Sequence, residues 1–552
     1  MSVRIKAMSI RYFTVPMACV LATLSLGWGG LAQAQESATA VASANTTSFR
    51  IRGFELTGDI PLSTDETTRI LAPYISNQAT IDTLQQASAA LEKALKDKGF
   101  ALHRVSLPPQ EVGDKVTLQI VKFVIGKVVV EGAKFHSEAN IRASIPELQT
   151  GQAPNFQRLA VQTAIANENP SKQIQVGLKE SEEPDQIDTR VRVVDERPWS
   201  ILVGVSNTGN ESTGRDRLAV VVGHNNVLDR DHQLSLAFTT SLERSSDVKQ
   251  LGLNYRVPLY AQGGVFAASY TNSDVVGQFG SFSSSGVGET LGFSYSHYLQ
   301  PEGGRRSYLT LGWEDKTFNA TKITVGGVVQ YTPVDLSFNP VHRKSQPLTL
   351  GYASRIEGDA SVLAYSVNWA GNFAGGSGNT LKAYQAEDPR IQNASWNALR
   401  GDVSYTRALG TGWLLGARSQ FQFTSDALIS GEQFGLGGSS SVRGTNERPI
   451  SGDSGIFASL ELSTPELVPG LRLLGFADAG VLASNNTASV TNKASTDGLT
   501  SAGVGLRYGQ GAVGITAEWA RVVRGATVPA SAPTGLPRQG DEKLHVNLTA
   551  RF

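Results

Sequence analysis

From Trp199 to Phe552 apolar and polar residues alternate in segments of about ten, separated by clusters of Gly, Asn, Asp and Ser. Leu218–Val222, Gln233–Phe238, Thr290–Tyr298, Tyr308–Trp313 and Leu414–Phe423 are the clearest. A period of two turns alternate side chains to opposite faces of a strand, so one face can meet lipid while the other stays wet. Seventeen candidate strands can be marked, and a barrel whose ends both return to the same side needs an even number. The weakest candidate lies between Thr324 and Leu350, and the expectation is sixteen antiparallel strands. The final segment is decisive against a soluble sandwich or propeller. Leu544, Val546, Leu548, Ala550 and Phe552 alternate there with His545, Asn547, Thr549 and Arg551. Beyond the N-terminus no run of about eighteen apolar residues occurs, so helical membrane spans are not expected.

Ahead of Trp199 the period changes. Phe49–Leu56 alternates like a strand, Thr64–Leu71 reads as a helix opened by Ser63 or Thr64, and Thr80 caps a second helix ended by Gly99. In that second helix Leu84, Ala87, Leu91, Ala94 and Leu95 fall on one face. Strands follow over Ala101–Leu107 and Val116–Phe123. The same β-α-α-β-β order then recurs, with a strand at Val128–Val130, helices at Ser137–Ser144 and Asn155–Asn167, and strands at Gln173–Leu178 and Asp188–Val194. A repeat of about 75 residues is too short to be anything but a compact α+β module. An open sheet edge on such a module can pair with an extended chain through backbone hydrogen bonds, without demanding a sequence.

Composition narrows the class. The 552 residues exceed one ordinary core, and 49 basic residues balance 49 acidic ones without a basic cluster, so nucleic acid is not an expected partner. Met1–Ala34 has the form of a secretory signal: Arg4, Lys6 and Arg11 without an acid, an apolar stretch around Val15–Leu26, and Ala32-Gln-Ala34 as a cleavage site. Its removal takes away the sole cysteine, Cys19, and with it any disulfide, thiolate nucleophile or cysteine metal site. The remainder is slightly acidic. Residues 35–48 are small and polar and read as a disordered lead-in.

Candidate chemistry is sparse. No Gly-x-Ser-x-Gly elbow, His-Glu-x-x-His or phosphate-binding Gly-Lys-Ser/Thr loop occurs, so no enzymatic activity, cofactor or metal is expected. The seven histidines read as lumen, loop or turn residues. More informative is the glycine-rich stretch Phe434–Gly444, with its single Arg443, followed by Phe476-Ala-Asp-Ala-Gly480. Alternation places Phe476, Asp478 and Gly480 on one strand face, and Arg443 in the preceding loop is a partner for Asp478. Glu461 points the same way if Ile456, Ala458, Leu460 and Leu462 face lipid, which makes it a second candidate.

These words also carry a resemblance. Gly53-Phe-Glu-Leu-Thr-Gly58, Leu107-Pro108-Pro109-Gln110, Asn169-Pro170 and Val194–Trp199 resemble the two POTRA domains of two-partner secretion transporters, the TpsB family. Gly437, Gly438, Val442, Arg443 and Gly444, with Phe476, Asp478 and Gly480, resemble the loop-six and strand-thirteen motifs of the superfamily to which those transporters and the barrel-assembly proteins belong. The resemblance implies a loop folded into the lumen and an Arg443–Asp478 pair. It also implies two POTRA domains before a 16-stranded barrel, in the bacterial outer membrane with the POTRA domains periplasmic. The expected boundaries are 1–34 for the signal peptide, 35–48 for the lead-in, 49–123 and 124–196 for the POTRA domains, and 197–552 for the barrel. The implied partners are a secreted haemolysin-like or adhesin-like exoprotein, outer-membrane lipid, and the assembly machinery, for which terminal Phe552 resembles the recognition signal. Thr445 departs from the aromatic residue common after Val-Arg-Gly, leaving open how tightly the loop tip packs. Some relatives carry a helix that plugs the pore, whereas fourteen lead-in residues would reach only about 21 Å as a helix. Alternative readings are a barrel-assembly insertase, which usually has three or more POTRA repeats, and a passive porin, which would not need the repeats.

Overall fold

The computed structural model describes residues 48–552 apart from 112, 212, 275–276, 280–281, 285–286, 326–327, 490–492 and 528–534. The expected signal peptide and nearly all of the lead-in lie outside the described residues. The chain forms two compact units, one made of the described residues up to Lys93 together with Val105–Ile120, the other of Ala94–Arg104 and Val121–Phe552.

In the first unit, helix Thr64–Leu71 starts where Ser63 and Glu66 exchange side-chain and backbone hydrogen bonds in a capping box. The second helix begins at Ile81, and the Thr80 hydroxyl accepts from the Thr83 amide. Leu84, Ala87 and Leu91 are buried as their spacing requires. Strand Gly53–Gly58 starts later than the alternation from Phe49 implied. Phe49 makes only an isolated bridge to Ala79, and the Ile51 amide donates to the Ser76 carbonyl, so the lead into the strand is spent closing the core of Ile51, Ala79, Leu84 and Val116. Gly53–Gly58 runs parallel to Lys115–Lys122. The Leu107-Pro-Pro-Gln110 turn has a physical function here. The Gln110 side-chain amide accepts from the Thr117 N–H at 2.7 Å and donates to the Thr117 carbonyl at 2.8 Å, pairing with the strand where prolines cannot donate.

In the second unit, an α+β module carries strand Val124–Glu131 parallel to Gln186–Asp195, which pairs antiparallel with Lys172–Glu180. Ser137 and Asn155 cap helices Glu138–Ser144 and Phe156–Ala166, and Ile125, Ile141, Leu159, Ile174 and Val191 form the core. The sheet order, first strand, last strand, middle strand, matches that of the first module.

The rest of the unit is a closed antiparallel barrel of sixteen strands among the described residues, if Arg343–Ser345 and Pro347–Glu357 are taken as one interrupted strand. The doubtful seventeenth candidate resolves into a separate hairpin, Thr321–Val325 with Val328–Thr332, outside the wall. The barrel closes where Asn547–Arg551 of the last strand pairs with Leu202–Ser206 of the first. Phe552 exchanges two backbone hydrogen bonds with Ile201, at 2.9 and 3.0 Å, while its side chain is exposed. Ring-bearing and aliphatic residues such as Phe266, Phe293, Leu309, Trp313, Ile456, Leu460, Trp519, Leu544 and Leu548 are exposed on the outer face, whereas their alternates Ser459 and His545 are buried. That is the arrangement a lipid-facing wall requires. No described helix is long and apolar enough to cross a membrane. One helix within the barrel half was not foreseen: Leu381–Glu387, seven residues capped by Thr380, in the long connection between Asn372 and Asn397.

Candidate functional site

Residues 424–453 join the eleventh barrel strand, Leu414–Phe423, to the twelfth, Ser454–Ser463, and fold inward rather than away from the wall. At the base of this inner loop Phe434–Leu436 pairs with Ile450–Gly452. Above that, Gly437 and Gly438 adopt φ of +104° and +102°, which side-chain-bearing residues rarely reach. A Cβ on Gly437 would stand 2.4 Å from the ring of Pro449. The reversal brings Val442 into a buried cluster with Leu436, Phe457, Leu482 and Leu499 and aims Arg443 at the wall. Thr445 answers the question its identity raised. Its hydroxyl accepts from the Gly438 amide at 2.9 Å and is buried, so it closes the loop on itself in place of aromatic packing.

Arg443 is fully buried. Its Nε and Nη2 donate to the two oxygens of Asp478, both at 2.8 Å, and its own backbone N–H reaches Asp478 Oδ2 at 3.1 Å. This two-pronged geometry is the strong form of an arginine–carboxylate contact. The remaining Nη1 donates to Glu461 Oε1 at 2.8 Å and lies 3.2 Å from Glu518 Oε2, and Nη2 reaches the Ser459 hydroxyl at 3.2 Å. The guanidinium carbon sits 3.3 Å from the centre of the Phe476 ring, so the cation is stacked as well as paired. Phe476 and Asp478 thus share the inward face of strand Leu471–Ala483, as the alternation implied, and Glu461 takes the place expected of it. Gly480 is on that face because Leu436 of the loop occupies the space: a Cβ there would meet Leu436 Cδ2 at 2.5 Å.

Three participants escaped the sequence reading. Glu518 completes the acidic surround, Arg507 ties Glu461 and Glu518 together at 2.9 and 2.7 Å, and His545 Nε2 accepts from the Gly444 amide at 3.0 Å. All three lie on the inward face of strands, and the one available signal was a charged or polar residue at a lumen position of an alternating segment. The POTRA words Leu107–Gln110 and the terminal Phe552 lie elsewhere, at a turn and at the barrel seam. No group of His, Cys, Asp or Glu among the described residues is arranged to hold a metal ion.

Comparison with known proteins agrees with this architecture. The family model described as haemolysin secretion/activation protein ShlB/FhaC/HecB matches residues 185–325 and 350–508. A POTRA domain model of ShlB type matches 49–122. The chain is 23% identical over 465 residues to the outer membrane transporter CdiB of Escherichia coli, covering 79% of this chain and 73% of that protein. It is 21% identical over 402 residues to the heme/hemopexin transporter protein HuxB of Haemophilus influenzae, covering 71% and 68%. The solved structure of CdiB from Escherichia coli superposes with a TM-score of 0.70 at 18% identity, covering 94% of this chain and 93% of that one. A barrel of sixteen strands, a ShlB-type POTRA domain and a family match over more than half its length together place this chain in the ShlB/FhaC/HecB family of two-partner secretion transporters of the bacterial outer membrane.

Proposed function

We propose that this transporter receives one secreted partner protein, of haemolysin or adhesin type, in the periplasm and passes it unfolded to the cell surface. In this reading a signal peptide of residues 1–34 exports the chain, POTRA domains 49–123 and 124–196 capture the cargo at open sheet edges, and barrel 197–552 conducts it. Phe552 is the signal read by the assembly machinery, lipid surrounds the barrel, and no catalytic step or cofactor is needed. Folding of the cargo outside the cell would bias the direction. The observation that carries the reading is the inner loop. Arg443 reaches across from a connection between strands to three wall carboxylates, so the loop stands in the channel and its ionic anchor can be exchanged without unfolding the wall.

The test is to compare culture supernatants with and without the gene. Loss of a single large protein is the expected result. A general loss of outer-membrane barrels would instead identify an insertase, and unchanged supernatants with lost solute uptake would identify a porin.

A further inference from the structure

Two polar contacts join the second α+β module to the barrel turns beneath it. Lys172, the first residue of strand Lys172–Glu180, has a fully buried side chain. Its ammonium donates to the Asp231 carboxylate, to Asn140 Oδ1 at 2.9 Å and to the Ser144 hydroxyl at 2.9 Å. Asp231 belongs to the turn between the second and third barrel strands, and it also accepts from the Tyr260 hydroxyl at 2.6 Å, in the turn between the fourth and fifth. Backbone carbonyls of the first turn are read as well: Asn140 Nδ2 donates to Asp229 O at 3.0 Å and Asn169 Nδ2 to Asn225 O at 2.8 Å. At the second contact Glu168 accepts from the Arg256 guanidinium and from the Tyr298 hydroxyl, the latter at 2.6 Å. Between the two, Val161 and Ile165 of helix Phe156–Ala166 pack on Val265, Tyr260, Tyr298 and Tyr308.

Burial pulls the Lys172 ammonium below its usual range although Asp231 opposes the shift, and burial pushes the Tyr260 hydroxyl well up. Dehydrating a lysine and an aspartate carries a penalty that an apolar joint of the same area would not incur. What the charges add is a single register: Lys172 and Asp231 are both satisfied only where the module and the turn meet as they do here, so the module cannot slide on the rim as a greasy contact could.

The strand that begins with Lys172 is also one of the module's two open edges, the other being Val124–Glu131. Among the described residues it pairs with Gln186–Asp195 on one side only. We infer that Lys172–Asp231 and Glu168–Arg256 are positioning contacts for transport, holding the edge strand Lys172–Glu180 so that it starts at the barrel rim and leads a paired cargo segment to it. Nine residues at about 3.3 Å each make a rail of roughly 30 Å. The inference rests on the reading that the module captures an extended cargo at its edge.

The experiment uses the full-length transporter, whose only cysteine is Cys19, with spin labels on cysteines introduced at the exposed positions Lys179 and Glu302. The native protein should give one narrow distance distribution. In Lys172→Met combined with Glu168→Gln the distribution should broaden and secretion should slow by about tenfold, as expected when a buried charge loses its partner. Binding of the N-terminal fragment of the protein missing from the mutant supernatant should stay within about twofold in Glu168→Gln alone, because Glu168 lies outside the edge strand. A distribution that stays narrow, or native secretion by the double variant, overturns the positioning role. Failure of the native transporter to bind the fragment would sink edge capture instead. Should the double variant not assemble, Glu168→Gln alone decides by the same readouts, since Glu168 and Arg256 are about a quarter exposed.

Discussion

Arg443 and Arg390 are both almost wholly buried, both arise from loops of the barrel half, and both face more than one acceptor, yet they hold different things together. Arg443 ties a loop tip to the wall through Asp478, Glu461 and Glu518. Arg390 ties loops to one another. Its guanidinium meets Asp388 at 2.7 Å, Asp453 at the end of the inner loop at 2.8 Å, and the carbonyl of Asn485 beyond the thirteenth strand at 2.7 Å. Asp453 in turn accepts from the Leu428 and Asn485 amides. Around that root lies a buried cluster of Tyr384, Ile391, Trp396, Leu428 and Ile429, contributed by the connection 373–396 and the start of the inner loop. The tip is held by one buried ionic cluster beside the apolar contact of Val442, whereas the root adds a larger apolar core to its own ion pairs. Loss of one cation should therefore free the tip more readily than the root.

The comparison is tested hardest by Arg443→Ala. Glu461 and Glu518 would be left to Arg507 alone and buried Asp478 would lose its ion-pair partner, a loss of roughly 3–5 kcal/mol if fully desolvated and less in a wet lumen. Secretion should fall sharply while the barrel keeps native levels and heat-modifiable mobility; normal secretion would break the comparison. Arg390→Ala should be second. It strips a buried Asp453 of its cation, and the expected sign is new protease cleavage between residues 424 and 430 on intact cells, with a smaller secretion defect than Arg443→Ala. Asp478→Ala ranks third, because Glu461 and Glu518 still hold Arg443; the loss of its bidentate bonds is worth about 1–3 kcal/mol. Since both members act in one contact, the double variant Arg443→Ala/Asp478→Ala should secrete no worse than Arg443→Ala alone. Strict additivity at equal barrel levels would show that the two do not act as a pair and would move attention to Glu461. The smallest effect is expected from Thr445→Val, which removes the hydroxyl that accepts from Gly438 and donates to the Asn446 carbonyl, bonds worth about 0.5–1.5 kcal/mol each, and should be visible only as a modest secretion decrease at raised temperature.

Several elements could be read from local chemistry. Ser63, Ser137 and Asn155 stood at the starts of the expected helices because a cap is satisfied within three residues of itself; that Glu66 completes the first cap is seen only in the structure. The last strand could be read because lipid on one side and water on the other leave a period of two. Arg443 could be offered to Asp478 because alternation fixes which way Asp478 faces, and the resemblance of both stretches to family motifs implied the pair; the reversal at Gly437 and Gly438 that delivers it is visible only in the structure. Helix Leu381–Glu387 was missed for the opposite reason: it is short, and its one buried residue, Tyr384, is held by partners from other segments, with the hydroxyl donating to the Lys344 carbonyl at 2.6 Å.

What the chain determines alone, then, is the period of each segment, the caps and turns that bound it, and the face each residue takes. Only the closed tertiary structure decides which faces meet. Glu518 and Arg507 join Arg443 because strand tilt and register bring the fourteenth and fifteenth strands beside the twelfth and thirteenth. Lys172 and Asp231, fifty-nine positions apart, become an ion pair because the module settles on one turn of the barrel. A charge at an alternating position states that it points inward; its partner is set by which strands curl to face it, and that is a property of the whole closed sheet.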